Sequence, residues 1–458
     1  MNAFVICLVF YACITLVIGW TTSSSSEKGF ILSRTLNKWS VGISASATAS
    51  TGFVVTGAVG MGYTLGVGSL LYPVSWLIGD IVFWFFAAEK LHAYCEKRNA
   101  DTVPEMLSDS GLLKVTGAVF ITVSLLLYSA AQFSAVSKAV SPFIELPDFS
   151  IMFFSLVFIV IYSFRGGYKA SVATDVFQGL CMIALTLGLL LYLLNETGGV
   201  VEIINSLNII DSSLVSINSI PSIGTLVAFV AGFAFSGYGF LMGQPQVTNR
   251  IMGAKNLHQV KGAKWVYIGV LHFLWIGMCL IGMIIRIKFG DISDPEMALS
   301  LYSRETFTPY ISALVLLGIF SAIISSLDSL ILTCSSTFSS AVMGSTEQSI
   351  VTRVIFILTG TVAVFLAFYV DTTVFELSLF SASFLAASIG AALTIKIFSI
   401  KHSELSLSVG VLLGGLLTIV WKLLGLSVFI HEGLLGFLLC LLFNFVIGNF
   451  VAQVKKVI

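Results

Sequence analysis

Long apolar segments alternate along this chain with short polar ones. Because about 20 apolar residues suffice for a helix to cross the hydrocarbon core of a bilayer, the pattern predicts about thirteen membrane-spanning helices. Their predicted limits are 3–20, 39–66, 68–90, 113–141, 150–164, 170–194, 223–247, 265–287, 309–342, 352–370, 374–398, 404–425 and 430–451. The sequence therefore predicts an all-α polytopic membrane protein.

The composition supports this fold class and excludes others. Of the 458 residues, 57% are hydrophobic and 10% are charged, whereas a soluble protein carries about 25% charged residues. The formal net charge is zero, so we expect no nucleic-acid partner. The seven cysteines form no CxxC pair and no Cys/His cluster, so we expect neither disulfides nor a metal–thiolate site.

The distribution of lysine and arginine predicts the orientation in the membrane. Basic residues fall mainly in alternate connections, namely 21–38 with Lys28, 89–114, 165–169, 250–264 with Arg250, 396–401 and the C-terminal tail. The exception in the opposite set is the stretch after the eighth helix, with Arg286, Lys288 and Arg304. The positive-inside rule then places these connections on the cytoplasmic side of the cell (inner) membrane, with the N-terminus outside the cell and the C-terminus in the cytoplasm. The first apolar run lacks a basic region before it, so we expect a retained helix and not a signal peptide.

The predicted ninth helix carries hydroxyl groups along one side. Ala322, Ser325, Ser326 and Ser329 recur at helical spacing, so they share one face. Hard cations such as Na⁺ bind oxygen ligands, and Asp328 adds a carboxylate within an apolar segment, where charges usually mark a transport pathway. Serines in membrane helices also serve to pack against a neighbouring helix, and the sequence leaves both interpretations open.

Two predicted helices contain clusters of glycine, at 42–66 and 232–243. Paired clusters of this kind indicate discontinuous helices whose unwound backbone lines a site near the membrane midplane, although glycines also permit close helix packing. The second cluster comes five helices after the first, which predicts two halves of opposite orientation, 39–222 and 223–401. The first helix with its loop, 1–38, and two C-terminal helices, 402–458, flank these halves.

Two further carboxylates lie in predicted helices. Asp175, near the start of the sixth helix, fits either a functional site or a helix end near the interface. Asp80 in the third helix is assigned no role in a site, and His272 in the eighth is interpreted as a packing residue.

Motifs from the first helix to the last resemble the sodium/solute symporter family, most closely its sodium/proline branch. They are SASATASTG at 44–52, NADTVPE at 99–105, GGYKA at 166–170 followed by Thr174–Asp175, Gly243–Gln244–Pro245 with Arg250, and Trp421–Lys422. The resemblance implies the LeuT-type fold, with a five-plus-five inverted repeat. It also implies a Na⁺-coupled importer of a small solute, such as proline or a related metabolite, and not an enzyme.

The resemblance further implies where the ion and the solute bind. The Na⁺ site would use the backbone carbonyls of Ala47, Ser50 and Ala322 and the hydroxyls of Ser325 and Ser326. A second site, for Na⁺ or a proton, would use Asp175, Asp328 and Ser329. The solute would lie near Ser50, Phe53, Tyr128, Gly237, Tyr238 and Gln244. Two departures widen the solute class beyond proline: Ala49 stands where that branch has an aspartate, and Phe53 where it has a tryptophan.

Two other functions remain compatible with the sequence. One is a proton-coupled symporter that uses Asp175 or Asp328, and the other is a transporter-like membrane sensor that reports a metabolite to a partner protein. A membrane enzyme is disfavoured because no His cluster, nucleophile elbow or phosphate-binding loop is present. The expected partners are therefore Na⁺, a small solute and the lipid bilayer, and no feature requires a protein partner.

Overall fold

The computed structural model describes residues 2–22, 34–109, 111–216, 222–343, 350–370 and 372–457. Lys28, one of the basic residues predicted to be cytoplasmic, lies outside these ranges. The helices are α1 (Asn2–Thr21), α2 (Lys38–Ala49), α3 (Ala58–Leu65), α4 (Leu71–Val82), α5 (Ala88–Arg98), α6 (Val103–Leu107), α7 (Leu112–Val140), α8 (Asp148–Thr197), α9 (Val200–Ile210), α10 (Ile223–Gly243), α11 (Pro245–Met252), α12 (Leu257–Phe289), α13 (Ala298–Thr306), α14 (Pro309–Met343), α15 (Ile350–Tyr369), α16 (Val374–Leu385), α17 (Ala391–Ile397), α18 (Glu404–Leu423) and α19 (Glu432–Val457).

The all-α polytopic architecture predicted from the hydrophobic pattern is confirmed. Within the described ranges, ten helical segments are long and apolar enough to cross a membrane, and Phe53–Arg98 alone is long enough for two of the predicted spans. The shorter apolar helices Asp148–Ile161 and Glu432–Ile447 lie at two further predicted spans. Most observed limits fall within a few residues of the predicted ones, because hydrophobic length alone determines where a helix can cross.

The fifth and sixth predicted helices are two helices that meet within α8 at a sharp break. The break lies at Gly167, where the backbone leaves the helical conformation with φ 59° and ψ −158°. A residue with a Cβ atom is strained in this conformation, so the bend requires glycine. The connection predicted at 195–222 is not wholly irregular either, because it contains α9, which buries Ile203 and Leu207.

The first predicted interruption is present. Helix α2 ends at Ala49, Ser50 adopts a non-helical conformation with ψ 65°, and the chain resumes through a five-residue π-helical turn, Phe53–Gly57, that leads into α3. A π-helical turn of this kind is frequent at functional sites.

The second interruption lies after its glycine cluster and not within it. Helix α10 is continuous to Gly243, Gln244 is extended with φ −88° and ψ 103°, and α11 restarts at Pro245. Proline suits this first position because its missing N–H group would have no partner there. The glycines instead allow close packing: a Cβ atom on Gly239 would lie 2.5 Å from the Cβ atom of Ala386.

Helices α3 and α12 approach each other through glycine. A Cβ atom on Gly62 would overlap the carbonyl oxygen of Cys279, and one on Gly282 would overlap that of Val59. Small residues at such contacts let membrane helices pack backbone against backbone.

This contact gives the first prediction. Replacing Gly62 with alanine forces α3 and α12 apart, and we expect a loss of about 1–3 kcal/mol of stability, measured by thermal unfolding in detergent micelles. Gly188→Ala is the matched control, since a Cβ atom at Gly188 in α8 meets nothing within 4 Å. An equal loss of stability in both variants would contradict the close approach.

Candidate ion and solute site

The end of α2 meets the middle of α14 at a group of oxygen atoms. The Ser326 Oγ atom donates to the carbonyl oxygen of Thr48 at 3.4 Å and to that of Ala322 at 3.1 Å. Because α2 stops at Ala49, the carbonyls of its last turn lack the N–H groups of a following turn. The Ser50 hydroxyl is also buried there without a hydrogen-bond partner.

This geometry brings together the two segments in which the first Na⁺ site was predicted. Residues 47–50 and 322–326 contribute carbonyl and hydroxyl oxygens at a fully buried position. Unpaired carbonyls are costly within a membrane unless a hydrogen-bond donor or a cation satisfies them. The arrangement is therefore chemically suited to a dehydrated alkali cation.

A charged cluster lies beside this group of oxygens. The Asp175 carboxylate accepts hydrogen bonds from Ser325 Oγ and Ser44 Oγ, both at 2.7 Å, and from Thr48 Oγ1 at 3.2 Å. The Arg250 Nη2 atom lies 2.8 Å from the same carboxylate, and both side chains are almost completely buried. Ser325 thus points towards Asp175 and connects the two predicted ion sites.

Arg250 joins four helices. Its Nη2 atom donates to Ser171 Oγ at 3.0 Å and to Ser329 Oγ at 2.7 Å, and its Nε atom donates to Ser44 Oγ at 3.1 Å. The guanidinium also lies over the Tyr168 ring, 5.3 Å from its centroid. The sequence interpretation placed Arg250 in a basic loop, which is wrong: it lies in α11 and is buried, because Asp175 and the serine hydroxyls compensate its charge.

Asp328 lies in the same region of α14. It is buried and accepts a hydrogen bond from Ser163 Oγ in α8. The neighbouring Ser329 contacts Arg250, so the three residues predicted for the second site are next to one another. The site also contains the arginine, which sequence reasoning did not assign to it.

Aromatic side chains enclose a small cavity close to the break in the first discontinuous helix. Its lining residues are Phe53, Trp76, Tyr128, Phe240, Ser378, Leu379 and Ala382, and its volume is about 10 Å³. This volume holds about one water molecule, so the pocket must expand to admit an organic solute. Of the predicted solute residues, Phe53 and Tyr128 line it directly.

The other predicted solute residues lie around or behind this pocket. Gly237 packs against Trp76, the Gln244 amide lies 3.5 Å from the Ser381 carbonyl, and Ser50 belongs to the oxygen group described above. Tyr238 is turned away from the pocket, since its hydroxyl bonds to Thr394 at 3.1 Å.

Gln132 is a residue of this site that sequence reasoning missed. Its Oε1 atom accepts from the Gly52 backbone N–H at 2.6 Å, and its Nε2 atom donates to Ser378 Oγ at 3.3 Å. The side chain therefore ties the break in the first discontinuous helix to α16. An amide one helical turn from Tyr128 in an apolar segment was the signal that could have identified it.

A wide cavity of about 810 Å³, called the outer cavity because of the predicted orientation, lies next to the small pocket. It is bordered by the segments 294–296, 373–376 and 427–432, and Leu379 lines both spaces. These segments contain no lysine or arginine, although 294–296 belongs to the stretch with Arg286, Lys288 and Arg304, and the positive-inside rule assigns them to the outside.

Comparisons with known proteins agree on one family. The model of the Sodium:solute symporter family matches residues 30–418. The Osmoregulated proline transporter OpuE of Bacillus subtilis (strain 168) is 24% identical over 99% of this chain and 96% of its own length. The High-affinity proline transporter PutP of the same organism is 23% identical over 91% of this chain and 90% of its own length.

Solved structures show the same fold. A Na⁺-coupled sialic acid symporter, in a substrate-bound outward-open state described as revealing a novel Na⁺ site, has a TM-score of 0.82 at 16% identity over 98% of both chains. Mhp1, a nucleobase-cation-symport-1 family transporter in a closed conformation with bromovinylhydantoin bound, has a TM-score of 0.60 at 11% identity over 94% of this chain and 96% of its own.

The buried ion pair gives the second prediction. Asp175→Asn removes the carboxylate in direct contact with the Arg250 guanidinium and leaves only Asp328 to compensate that charge, and we expect a loss of about 3–5 kcal/mol of stability, measured by thermal unfolding in detergent micelles. Adding Arg250→Met to this variant should restore part of the loss, because the double variant contains no arginine that has lost its direct ion-pair partner.

Asp291→Asn is the control for this prediction. Asp291 pairs with Arg286, but its side chain is 93% exposed, so removing its charge should cost less than about 1 kcal/mol. Equal destabilisation by Asp175→Asn and Asp291→Asn would contradict the importance of the buried pair.

Proposed function

The chain belongs to the sodium:solute symporter family, and we propose that the solute it carries with Na⁺ is proline or a closely related small amino acid. It is a multi-pass membrane protein that couples solute transport to Na⁺, and it is not an enzyme. The proposal concerns the identity of the solute, the residues that bind it and the ion, and the direction of transport.

The lining of the small pocket supports a compact solute with an apolar body. Four aromatic rings and two aliphatic side chains form its wall, and its lining residues carry no formal charge. Such a wall suits the carbon skeleton of a cyclic or short aliphatic amino acid. Two relatives along nearly the whole chain are named as proline transporters, which supports the same solute class.

We assign the first Na⁺ to the carbonyls of Ala47, Ser50 and Ala322 and to the hydroxyls of Ser325 and Ser326. The observation that carries this assignment is the Ser326 hydroxyl, which lies between the Thr48 and Ala322 carbonyls where α2 ends. A bound ion would attract the negative carbonyl end of α2 and hold it against α14.

Coupling then follows from a shared structural element. The segment that supplies oxygens to the ion continues through Gly52, which Gln132 holds, into Phe53 at the solute pocket. Ion binding that orders this segment favours the conformation that binds solute, and by reciprocity solute binding strengthens ion binding. The membrane potential adds about 2.3 kcal/mol per elementary charge per 100 mV to drive uptake.

We further propose that Asp175, Asp328 and Ser329 form a second cation site. The cluster contains two carboxylates and one guanidinium, so one additional cation, Na⁺ or a proton, would balance its charge. If the added cation is a proton, the protein is a proton-coupled symporter, which is the alternative function; the excess of one carboxylate in this cluster is the observation that favours it.

The orientation of the protein belongs to the same proposal. The outer cavity is bordered by segments that contain no lysine or arginine, which supports a C-terminus in the cytoplasm and solute entry from outside the cell. An odd number of crossings then places the N-terminus outside.

Transport in proteoliposomes tests the function. We expect radiolabelled proline to accumulate under an inward Na⁺ gradient and to remain near equilibrium when K⁺ replaces Na⁺ on both sides. Accumulation driven by a pH gradient alone would favour proton coupling. Proline binding without net flux would favour a sensor. The absence of both binding and flux would exclude proline as the solute.

Replacing Ser326 with alanine tests the ion site. The variant lacks one oxygen ligand, and we expect its apparent Na⁺ constant to rise about tenfold, with a smaller change in the solute constant. Ser335→Ala is the matched control, because Ser335 is equally buried in α14 but bonds only to the Leu332 carbonyl of its own helix. Similar Na⁺ constants in both variants would contradict the assignment.

A further inference from the structure

A carboxylate and an imidazole form a buried pair between α4 and α12. The His272 Nε2 atom lies 3.0 Å from the Asp80 Oδ2 atom, and the two side chains are 7% and 0% exposed. The sequence interpretation considered these residues separately and gave neither a role. A carboxylate within a membrane-spanning segment is costly unless another group compensates its charge. Here the compensating group is a histidine, which itself gains and loses a proton.

The charged groups on neighbouring elements do not compensate this pair. Helix α10, which packs against α4, contains no acidic or basic residue. Asp175 of α8 pairs with Arg250, and the lysines and arginines of α12 lie at least about two helical turns from His272. The group that faces the pair is the Tyr267 hydroxyl, which interacts electrostatically with Asp80. The carboxylate is therefore balanced when the imidazole carries a second proton.

Four polar atoms at this contact have no hydrogen-bond partner within the described part of the chain. They are Asp80 Oδ1, His272 Nδ1, Tyr267 Oη and Trp84 Nε1, and all four side chains are more than nine-tenths buried. Trp84 lies one helical turn after Asp80, and its ring centroid is 5.3 Å from that of Tyr267. Buried polar atoms normally have partners, so such a group indicates a bound ligand. Because an indole N–H can only donate, the set suits a proton with its water better than a metal cation.

The pair lies next to the wall of the solute pocket. Trp76, one helical turn before Asp80 in α4, lines the pocket. Trp275, nearly one turn after His272 in α12, packs edge-on against Trp76 and Phe53, with ring centroids 5.7 and 5.0 Å away. Residues three or four apart on a helix are neighbours on its surface. Each member of the pair is thus next to an aromatic side chain that forms or supports the pocket.

The two protonation states of the pair differ by one charge. In the protonated state, the imidazolium donates from Nε2 to the Asp80 carboxylate and carries its second proton on Nδ1, so the net charge is zero. Release of the Nδ1 proton to water leaves a neutral imidazole beside a carboxylate, with one net negative charge. A net charge inside a membrane protein requires water or a partner. Hydration of this charge would separate α4 from α12 and displace Trp76 and Trp275.

We propose that Asp80 and His272 form a proton-binding site, separate from the cation sites proposed above, and that the bound proton favours solute binding. The proposal rests on the proposed function only in taking the small aromatic pocket as the place where the solute binds. By reciprocity, solute binding favours uptake of the proton. The protein then responds to pH through two residues that line neither the pocket nor the proposed Na⁺ site.

Tryptophan fluorescence tests proton binding without a solute. A protonated imidazole quenches a neighbouring indole more strongly than a neutral imidazole does, and Trp275 is the neighbour of His272. We expect the fluorescence of the purified protein in detergent micelles to rise along a one-proton curve between about pH 5 and 8, the range in which histidine ordinarily titrates. Asp80→Asn should remove this change, because no carboxylate then compensates an imidazolium.

His92→Gln is the matched control for the histidine. His92 in α5 is also buried, but its Nδ1 atom contacts the backbone carbonyl of Ile251 instead of a carboxylate. Its replacement should leave the fluorescence curve unchanged, whereas His272→Gln should remove it. Because His272→Gln leaves Asp80 without its partner, the neutral double variant Asp80→Asn/His272→Gln is measured beside it. Thermal unfolding of each variant verifies that it is folded during the measurement.

Proline binding at two pH values tests the coupling to the pocket. At constant Na⁺ concentration, we expect the proline Kd of the unmodified protein to be at least about fivefold higher at about pH 8 than at about pH 5. In Asp80→Asn the two constants should be nearly equal. This comparison separates the pair from Asp328, because Asp80→Asn leaves the Asp328 cluster intact.

Two outcomes would overturn the proton site: no fluorescence change over this pH range in the unmodified protein, or the same change in Asp80→Asn and His272→Gln. An equal pH dependence of proline binding in the unmodified protein and Asp80→Asn would overturn its coupling to the pocket. A fluorescence change that Asp80→Asn removes, together with no proline binding at any pH, would support the proton site and reject the solute assignment.

Discussion

The break in the first discontinuous helix is the constraint on which the rest of the structure depends. A helix that stops inside a membrane leaves carbonyl oxygens with no water to bind them. Here α2 ends at Ala49, and the Ser326 hydroxyl of α14 lies against the Thr48 carbonyl. The requirement to satisfy these oxygens brings α14 to this position. It also creates a group of oxygens that an alkali cation can complete.

The buried charges follow from the same packing. Asp175, Arg250 and Asp328 lie where α2, α8, α11 and α14 converge, and serine hydroxyls fill the spaces between them. Each charge would be costly alone in this environment, so the cluster is stable only while the four helices remain together. A cluster that depends on helix positions is suited to respond when the ion binds or leaves.

The proposed ion site and the proposed solute pocket are connected through Gln132 and α16. Gln132 connects the break at Gly52 to Ser378 in α16, and Glu296 accepts a hydrogen bond from the backbone N–H group of Phe375 at the other end of α16. A displacement of α16 would therefore affect both the pocket proposed for the solute and the segment proposed for the ion.

The sequence alone determined the helices, their approximate limits, the oxygen-bearing face of α14 and the existence of a break near Ser50, because hydrophobic length and local spacing are properties of the chain. It predicted the second break within the glycines at 232–243, although the helix ends only at Gln244. Whether a glycine breaks a helix or packs against a neighbour depends on what faces it, here Ala386. The positions of Arg250, Gln132 and Glu296 were decided only by the tertiary structure, because each acts through partners more than 70 residues away in the chain. Spacing along one helix cannot reveal such contacts.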